Sequence, residues 1–182
     1  MADKVKFNIH NVHYAVAKDE GGWDTPVAIP GVVSFSLEPQ GDVSPFYADG
    51  MVYYNAVANN GYSGDLEMAM FPKAFLTAVF GMTEGTTSKV LTENSKTEPK
   101  SFALLFEEDG DATGTKYVLY NCTATRPTRD FKTTEDSKEP STSKISVTAA
   151  PLADGRVLAM TQDDTPAETV NKWYTKVFEE AV

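Results

Sequence analysis

The residues from Gly61 to Gly81, reading GYSGDLEMAMFPKAFLTAVFG, change hydrophobic period part-way, and no other stretch constrains the fold as strongly. From Tyr62 to Met70 the apolar residues alternate, so Tyr62, Leu66, Met68 and Met70 share a face with Gly64, while Ser63, Asp65 and Glu67 take the other. Such a strand has one dry face and one acidic face. Pro72 then suits the first turn of a helix, and Phe75, Leu76, Val79 and Phe80 recur at i, i+1, i+4 and i+5 until Gly81 offers a C-terminal stop. The spacing predicts a strand running into a short core helix.

Strand signals dominate the rest of the chain. Lys4 to Val16 alternates between polar and apolar side chains and its first part reads as a strand, and a second strand over 32–38 puts Val33, Phe35 and Leu37 on one face. Residues 101–108 and 116–124 form a hairpin around Asp109-Gly110-Asp111 and Gly114, with Val118, Tyr120, Cys122 and Ala124 on a core face. Strands 144–151 and 156–161 flank the hairpin signal Asp154-Gly155. Thr165-Pro166-Ala167-Glu168 matches a capping box, and Val170, Trp173, Tyr174, Val177 and Phe178 then form an apolar stripe at helical spacing that should dock on the sheet. Residues 82–100 and 126–143 are polar connections. The expected fold is mainly β, a sandwich or barrel with one short flanking helix and a candidate C-terminal helix, and the 182 residues fit one domain.

The interval 39–60 resists that scheme. Pro39, Gly41, Pro45, Gly50 and Asn59-Asn60 favour turns, yet Phe46, Tyr47, Met51, Val52, Tyr53 and Tyr54 stand among them. It is long for a structureless loop and aromatic for a solvated linker. An extended hairpin arm that packs on a neighbouring molecule reconciles these facts; a hairpin folded over its own sheet is the alternative.

Acidic residues outnumber basic ones, 26 to 16, and the net charge of -10 disfavours a nucleic-acid reader that works through phosphate contacts. The single cysteine, Cys122, has no intrachain partner and reads as a small buried hydrophobe. His10 and His13 fall on opposite faces of a strand, so neither a zinc cluster nor a histidine-based triad is easily built. Glu107, Glu108 and Asp109 could pair as a glycosidase acid and base, but a carboxylate cluster at a strand end reads as solvated. Gly61-Tyr62-Ser63-Gly64 is one residue short of a nucleophile elbow and precedes a strand. No catalytic, cofactor-binding or metal-binding residue is assigned, and the chain is expected not to be an enzyme. With no apolar run approaching a membrane span and no leader-type stretch, no membrane association is expected, and the chain is expected to be made and kept in a cytoplasm.

The order of these parts resembles the major tail (tail tube) proteins of long-tailed bacteriophages with flexible, non-contractile tails, in particular the phi13-type family. The residues that carry it run through nearly the whole chain. They are Asn11-Val12-His13-Tyr14-Ala15, the aromatic arm, Gly61-Tyr62-Ser63-Gly64-Asp65-Leu66-Glu67 before the helix ending at Gly81, and Arg126-Pro127. Ile145 to Pro151 with Asp154-Gly155, and the terminal Trp173-Tyr174-Thr175-Lys176-Val177, complete the set. The resemblance implies a β-sandwich virion protein, assembled in the host cytoplasm, whose copies join as stacked hexameric rings around a channel for DNA. Tape measure, distal tail and tail terminator proteins are its implied partners. Six subunits giving about four strands each make a barrel of roughly 24 strands, whose lumen of roughly 40 Å admits a duplex about 20 Å wide.

Two expectations about residues follow. Ser63, Asp65 and Glu67 face the lumen, since carboxylates repel the phosphates a conduit must not hold. Phe46, Tyr47, Met51, Tyr53 and Tyr54 contact adjacent subunits. A virion β-sandwich that binds a host receptor or carbohydrate through the same aromatics is the alternative function.

Overall fold

A computed structural model describes residues 6–110, 114–133 and 140–180. Its strands, in chain order, are β1 (Ile9–Val16), β2 (Val27–Ala28), β3 (Val32–Phe35), β4 (Glu38–Pro39), β5 (Val43–Ala48), β6 (Met51–Val57) and β7 (Tyr62–Met68). After helix α1 (Lys73–Phe80) come β8 (Thr83–Glu84), β9 (Leu91–Thr92), β10 (Phe102–Glu108), β11 (Thr115–Ala124), β12 (Ser143–Ala149) and β13 (Leu158–Met160), then helix α2 (Ala167–Lys172). The mainly β fold is the one the sequence predicts.

The main sheet is antiparallel, in the order β2-β1-β10-β11-β12-β7-β3, with β13 added to β11 and β4 to β7. The stretch 27–35 stands at both ends of that order: β2 pairs with β1, and β3 pairs with β7. Two further backbone bonds tighten the join, Ile29 N–H to the Val12 carbonyl and Ala69 N–H to the Gly31 carbonyl, both at 2.7 Å. The sheet therefore closes on itself. Inside lie Leu66, Met68, Phe102, Leu104, Ile145 and Val147, all buried, and Phe35 meets Phe106 edge-to-face across the interior at 5.3 Å.

Helix α1 covers the open side of this core. Pro72 precedes it and Gly81 ends it in the left-handed region at φ 63°, as the sequence predicts. Phe75, fully buried, meets the rings of Tyr14, Phe71, Phe80 and Phe102 at 5.0 to 5.8 Å.

A second apolar layer lies on the outer face of β1, β10 and β11, where Ala15, Leu105, Val118 and Tyr120 are covered by Trp173 and Val177. The C-terminal stripe docks as predicted, but its helix is short. α2 stops at Lys172, before Trp173, and the residue at its start is Pro166 with no side-chain cap. Thr165 Oγ1 instead accepts from the Gln162 N–H at 2.8 Å, so no capping box forms.

Four departures from strict alternation correct the sequence reading, and each is a bulge or a strand end. In β1, His10 pairs with Glu107 and His13 with Leu105, and Asn11 at φ 51° takes up the extra residue. That bulge places His10 and His13 on the same face. In β11, Cys122 faces Phe102 while Leu119 faces Leu104, so three residues oppose two. Cys122 thus joins the inner core while Val118 and Tyr120 face outward, and burial pushes its thiol up to about 12. A shift between Val32 and Ser34 leaves Val33 51% exposed and apart from the Phe35 and Leu37 that pack on the core. Finally, β7 ends at Met68, and Met70 is 73% exposed.

The hairpin of β10 and β11 is as predicted, although Asp111 of its turn lies outside the described residues. So do Lys4 and Val5 at the start of the predicted first strand and residues 134–139 of the polar connection. Asp154-Gly155 does turn the chain, with Gly155 at φ 87°, but the strand beyond it, β13, pairs with β11 and not with β12.

Candidate assembly surfaces: the exposed arm and the polar strand face

The interval 39–60 forms an arm. β5 and β6 make a two-stranded sheet of their own around Asp49 and Gly50, both at positive φ (52° and 74°), the geometry of a two-residue type I′ turn. The arm continues the β4–β7 ladder outward: the Gln40 N–H donates to Gly61 O at 2.8 Å, Asn60 to Gln40 O at 2.8 Å and Ala58 to Asp42 O at 3.0 Å. Two glycines mark its base. A Cβ on Gly41 would sit 1.9 Å from the Ala58 carbonyl oxygen, and one on Gly61 1.9 Å from that of Ala149.

Both faces of the arm are apolar and open. Phe46 pairs with Tyr54, Tyr47 with Val52 and Val43 with Val57, and Tyr53, the bulged residue, is 74% exposed. Between residues 43 and 57 only Asp49, in the turn, carries a charge. None of these side chains belongs to either core cluster. A two-stranded hairpin is marginal in water by itself, and contiguous apolar surface of this kind marks a contact site. The sequence-predicted residues Phe46, Tyr47, Met51, Tyr53 and Tyr54 all lie here, exposed.

Ser63, Asp65 and Glu67 lie together on the outer face of β7, opposite the buried Leu66 and Met68. β12 reads the same way: Lys144, Ser146 and Thr148 face Glu67, Asp65 and Ser63, while Ile145, Val147 and Ala149 are buried. The face is tied by hydrogen bonds. Ser146 Oγ donates to Asp65 Oδ1 at 2.6 Å, Thr142 Oγ1 to Glu67 Oε1 at 2.5 Å, Ser34 Oγ to Glu67 Oε2 at 3.2 Å, and Gln40 Nε2 to Ser63 Oγ at 2.7 Å. Lys144 Nζ stands 3.4 Å from Glu67 Oε2. The Thr142 hydroxyl does most to hold the Glu67 carboxyl below its ordinary range; burial opposes it, and Lys144 and Ser34 add to the lowering. Glu38 shares the face through its pairing with Ser63, so three carboxylates stand against one lysine. Serine and threonine supply most of the remaining surface. The contribution of β12 was not assigned from sequence, although its alternation from Lys144 to Ala149 carries the same signal as β7.

The carboxylates weighed as a glycosidase pair are occupied. Glu107, only 14% exposed, accepts from Lys116 Nζ at 2.6 Å, Asn11 Nδ2 at 3.0 Å and Tyr174 Oη at 3.2 Å. The Tyr174 ring stacks on His13 at 4.3 Å, and Lys116 Nζ lies 4.9 Å from its centre. Burial raises the Glu107 pKa, but the hydrogen bonds from Lys116 and Asn11 and the Lys116 charge outweigh it, leaving the carboxyl below its ordinary value. Glu108 is taken up by Lys6 and Tyr117. Glu107 is therefore a latch between the bulge in β1 and the C-terminal segment. Its depressed pKa means that its stabilisation is complete above the ordinary carboxylate value of 4.5 and is lost as pH falls through the lower folded value. Glu107→Gln is expected to cost about 1–2 kcal/mol at pH 7. The gap from wild type should narrow below pH 4.5 in urea melts run at several pH values; a gap that stays constant with pH would show that the charge is irrelevant. Among the described residues no group of three His, Cys, Asp or Glu side chains could hold a metal ion, and no helix is long and apolar enough to cross a membrane.

No family model matches the chain, and no curated protein matches it. Solved structures do. The tube-terminating cap of the anti-feeding prophage aligns over 87% of this chain and 93% of its own, with a TM-score of 0.50 at 11% identity. The sheath/tube terminator of an extracellular contractile injection system, in its extended state, aligns over 86% of this chain and 96% of its own, with a TM-score of 0.49 at 15% identity. The chain shares the fold of the cap. At such identity the likeness is one of backbone architecture.

Proposed function

We propose that the chain is a structural, non-enzymatic tail-tube protein of a flexible, non-contractile phage tail. Its copies close into hexameric rings, the rings stack, and DNA passes along the channel to the host cell without being bound specifically. The chain acts as one tube domain, with residues 39–60 as its intersubunit arm and Phe46, Tyr47, Met51, Tyr53 and Tyr54 as the contacts. In this reading it sits in the virion tail, is assembled in the host cytoplasm, and meets tape measure, distal tail and tail terminator proteins in the finished particle.

The observation that carries the reading is the arm: a hairpin apolar on both faces and left exposed by the described residues of its own chain. Ordered repetition of subunits offers such a hairpin cover on two sides. The fold likeness to a tube-terminating cap supports the same reading, as does the resemblance of the sequence to tail tube proteins. A tube is what the two have in common.

The polar face of β7 and β12 is the proposed lumen wall. Its single lysine is already engaged by Glu67, so the surplus of carboxylates repels phosphate instead of collecting it. Electron microscopy of the concentrated, purified protein tests both parts. Hollow filaments of even width, with Asp65 and Glu67 lining a channel of roughly 40 Å in the reconstruction, are the expected result. Filaments in which those two residues are buried between subunits would refute the lumen assignment, and a particle that stays monomeric but binds a glycan would favour the receptor-binding alternative.

A further inference from the structure

The two long edges of the arm are not equivalent. In an antiparallel ladder, pairs that exchange hydrogen bonds alternate with pairs whose amides point outward. The Ala58 N–H donates to Asp42 O and the Asn60 N–H to Gln40 O, which fixes the phase. Ser44–Ala56 and Phe46–Tyr54 therefore bond to each other, and the pairs Val43–Val57 and Pro45–Asn55 point their backbone groups away. Beyond the bulge at Tyr53, the Ala48–Met51 pair closes the turn, so the Tyr47–Val52 pair also points outward.

On the β5 edge the middle position is Pro45, which has no N–H to give. Proline at an outward-pointing position of an edge strand blocks pairing with another chain. On the β6 edge Val52, Asn55 and Val57 all offer both an amide and a carbonyl, with no proline among them. That edge is also continuous with the main sheet. β12 flanks β7 as far as the Ala149–Tyr62 pair, the chain then leaves at Pro151, and beyond that point no strand among the described residues pairs with this edge of β6.

We infer that the β6 edge accepts a strand from a second copy of this chain, in line with β12, so that the arm joins subunits by backbone pairing as well as by its side chains. This rests on the tube reading of the arm. Two features favour a second copy as the occupant. At about 150–250 Å² per aromatic side chain, covering the arm's exposed apolar residues buries on the order of 1,000 Å², comparable to the roughly 800 Å² that one partner gives to a stable interface. Copies of net charge -10 repel one another, and the arm, with the single charge of Asp49, is where that repulsion is weakest.

The test compares two proline substitutions, both at outward-pointing amides. Asn55→Pro removes a donor from the open edge, and Val43→Pro removes one from the edge already interrupted by Pro45. Asn55→Pro is expected to raise the concentration needed for assembly by about tenfold or more, the equivalent of one or two net hydrogen bonds, while Val43→Pro leaves it within about threefold. In wild-type protein, hydrogen exchange should show the amides of Val52, Asn55 and Val57 open in the free subunit and protected in the assembled form. Equal assembly of both variants, equal loss in both, or free exchange at Asn55 and Val57 in the assembled state would each overturn the inference. A chain lacking residues 42–58 separates the two levels: if it still assembles, the arm reading fails as well, and if it does not while Asn55→Pro assembles normally, only the strand pairing fails.

Discussion

Deleting residues 42–58 is expected to yield a folded subunit that no longer assembles. Gln40 and Asn60 pair at the base of the arm, and the deletion leaves Gly41 and Asn59 as a two-residue connection between them, with glycine first, as a type II′ hairpin turn requires. No side chain of the deleted segment contributes to the inner core or to the layer under the C-terminal segment. The stability of the monomer should therefore change by about 1 kcal/mol or less, the range of surface changes. In the proposed assembly, by contrast, loss of the arm's apolar contacts would remove a large part of the area available for association. Sedimentation and electron micrographs across a concentration series, beside a urea melt, check both halves. A truncated chain that unfolds would mean the arm packs on its own body after all, and one that forms tubes would remove the arm from assembly.

The second large effect is in the core. Phe75→Ala is expected to cost about 3–5 kcal/mol, because four aromatic rings surround the site from two strands, the helix itself and the segment before it, and none can collapse into the space without leaving its own contacts. Against a typical stability of about 5–15 kcal/mol this is roughly a fifth of the total or more. Phe75→Leu, which keeps most of the volume, should lose markedly less. Urea unfolding followed by the fluorescence of Trp23 and Trp173 reads both. Equal losses for the two variants would mean that the ring packing is not what holds α1 against β1 and β10.

The helix was legible in the sequence because proline, an i, i+1, i+4, i+5 stripe and glycine all agree on it over 72–81. The dry and acidic faces of β7 were legible for a similar reason, since a strand without a bulge keeps its period of two. Legibility ended where a residue was inserted into a ladder. At Asn11, at Val33 and between Leu119 and Cys122 the chain looks regular to any alternation rule, yet the partner strand counts one residue fewer. Only the pairing reveals this, and the consequences were concrete: the two histidines came to one face, Cys122 moved from one layer to the other, and Val33 left the core. β13 was misplaced for a related reason. A turn at Asp154-Gly155 says that the chain reverses, and it does not say which neighbour the returning strand will join. Within the arm, the hairpin and its aromatics were readable, but the difference between its edges was not, because that depends on the phase of the hydrogen-bond ladder.

The contact between Gly61 and the Ala149 carbonyl bears on mechanics. β6 and β7 are consecutive lengths of one chain, separated by a short joint that ends at Gly61, and that joint rests on the end of β12. In the proposed tube the arm would act as a lever with its fulcrum on the barrel, a displacement of its tip being delivered along a continuous backbone to the strand that carries Asp65 and Glu67. Bending at the outer contacts of such a subunit would be felt, through covalent bonds alone, at its polar wall.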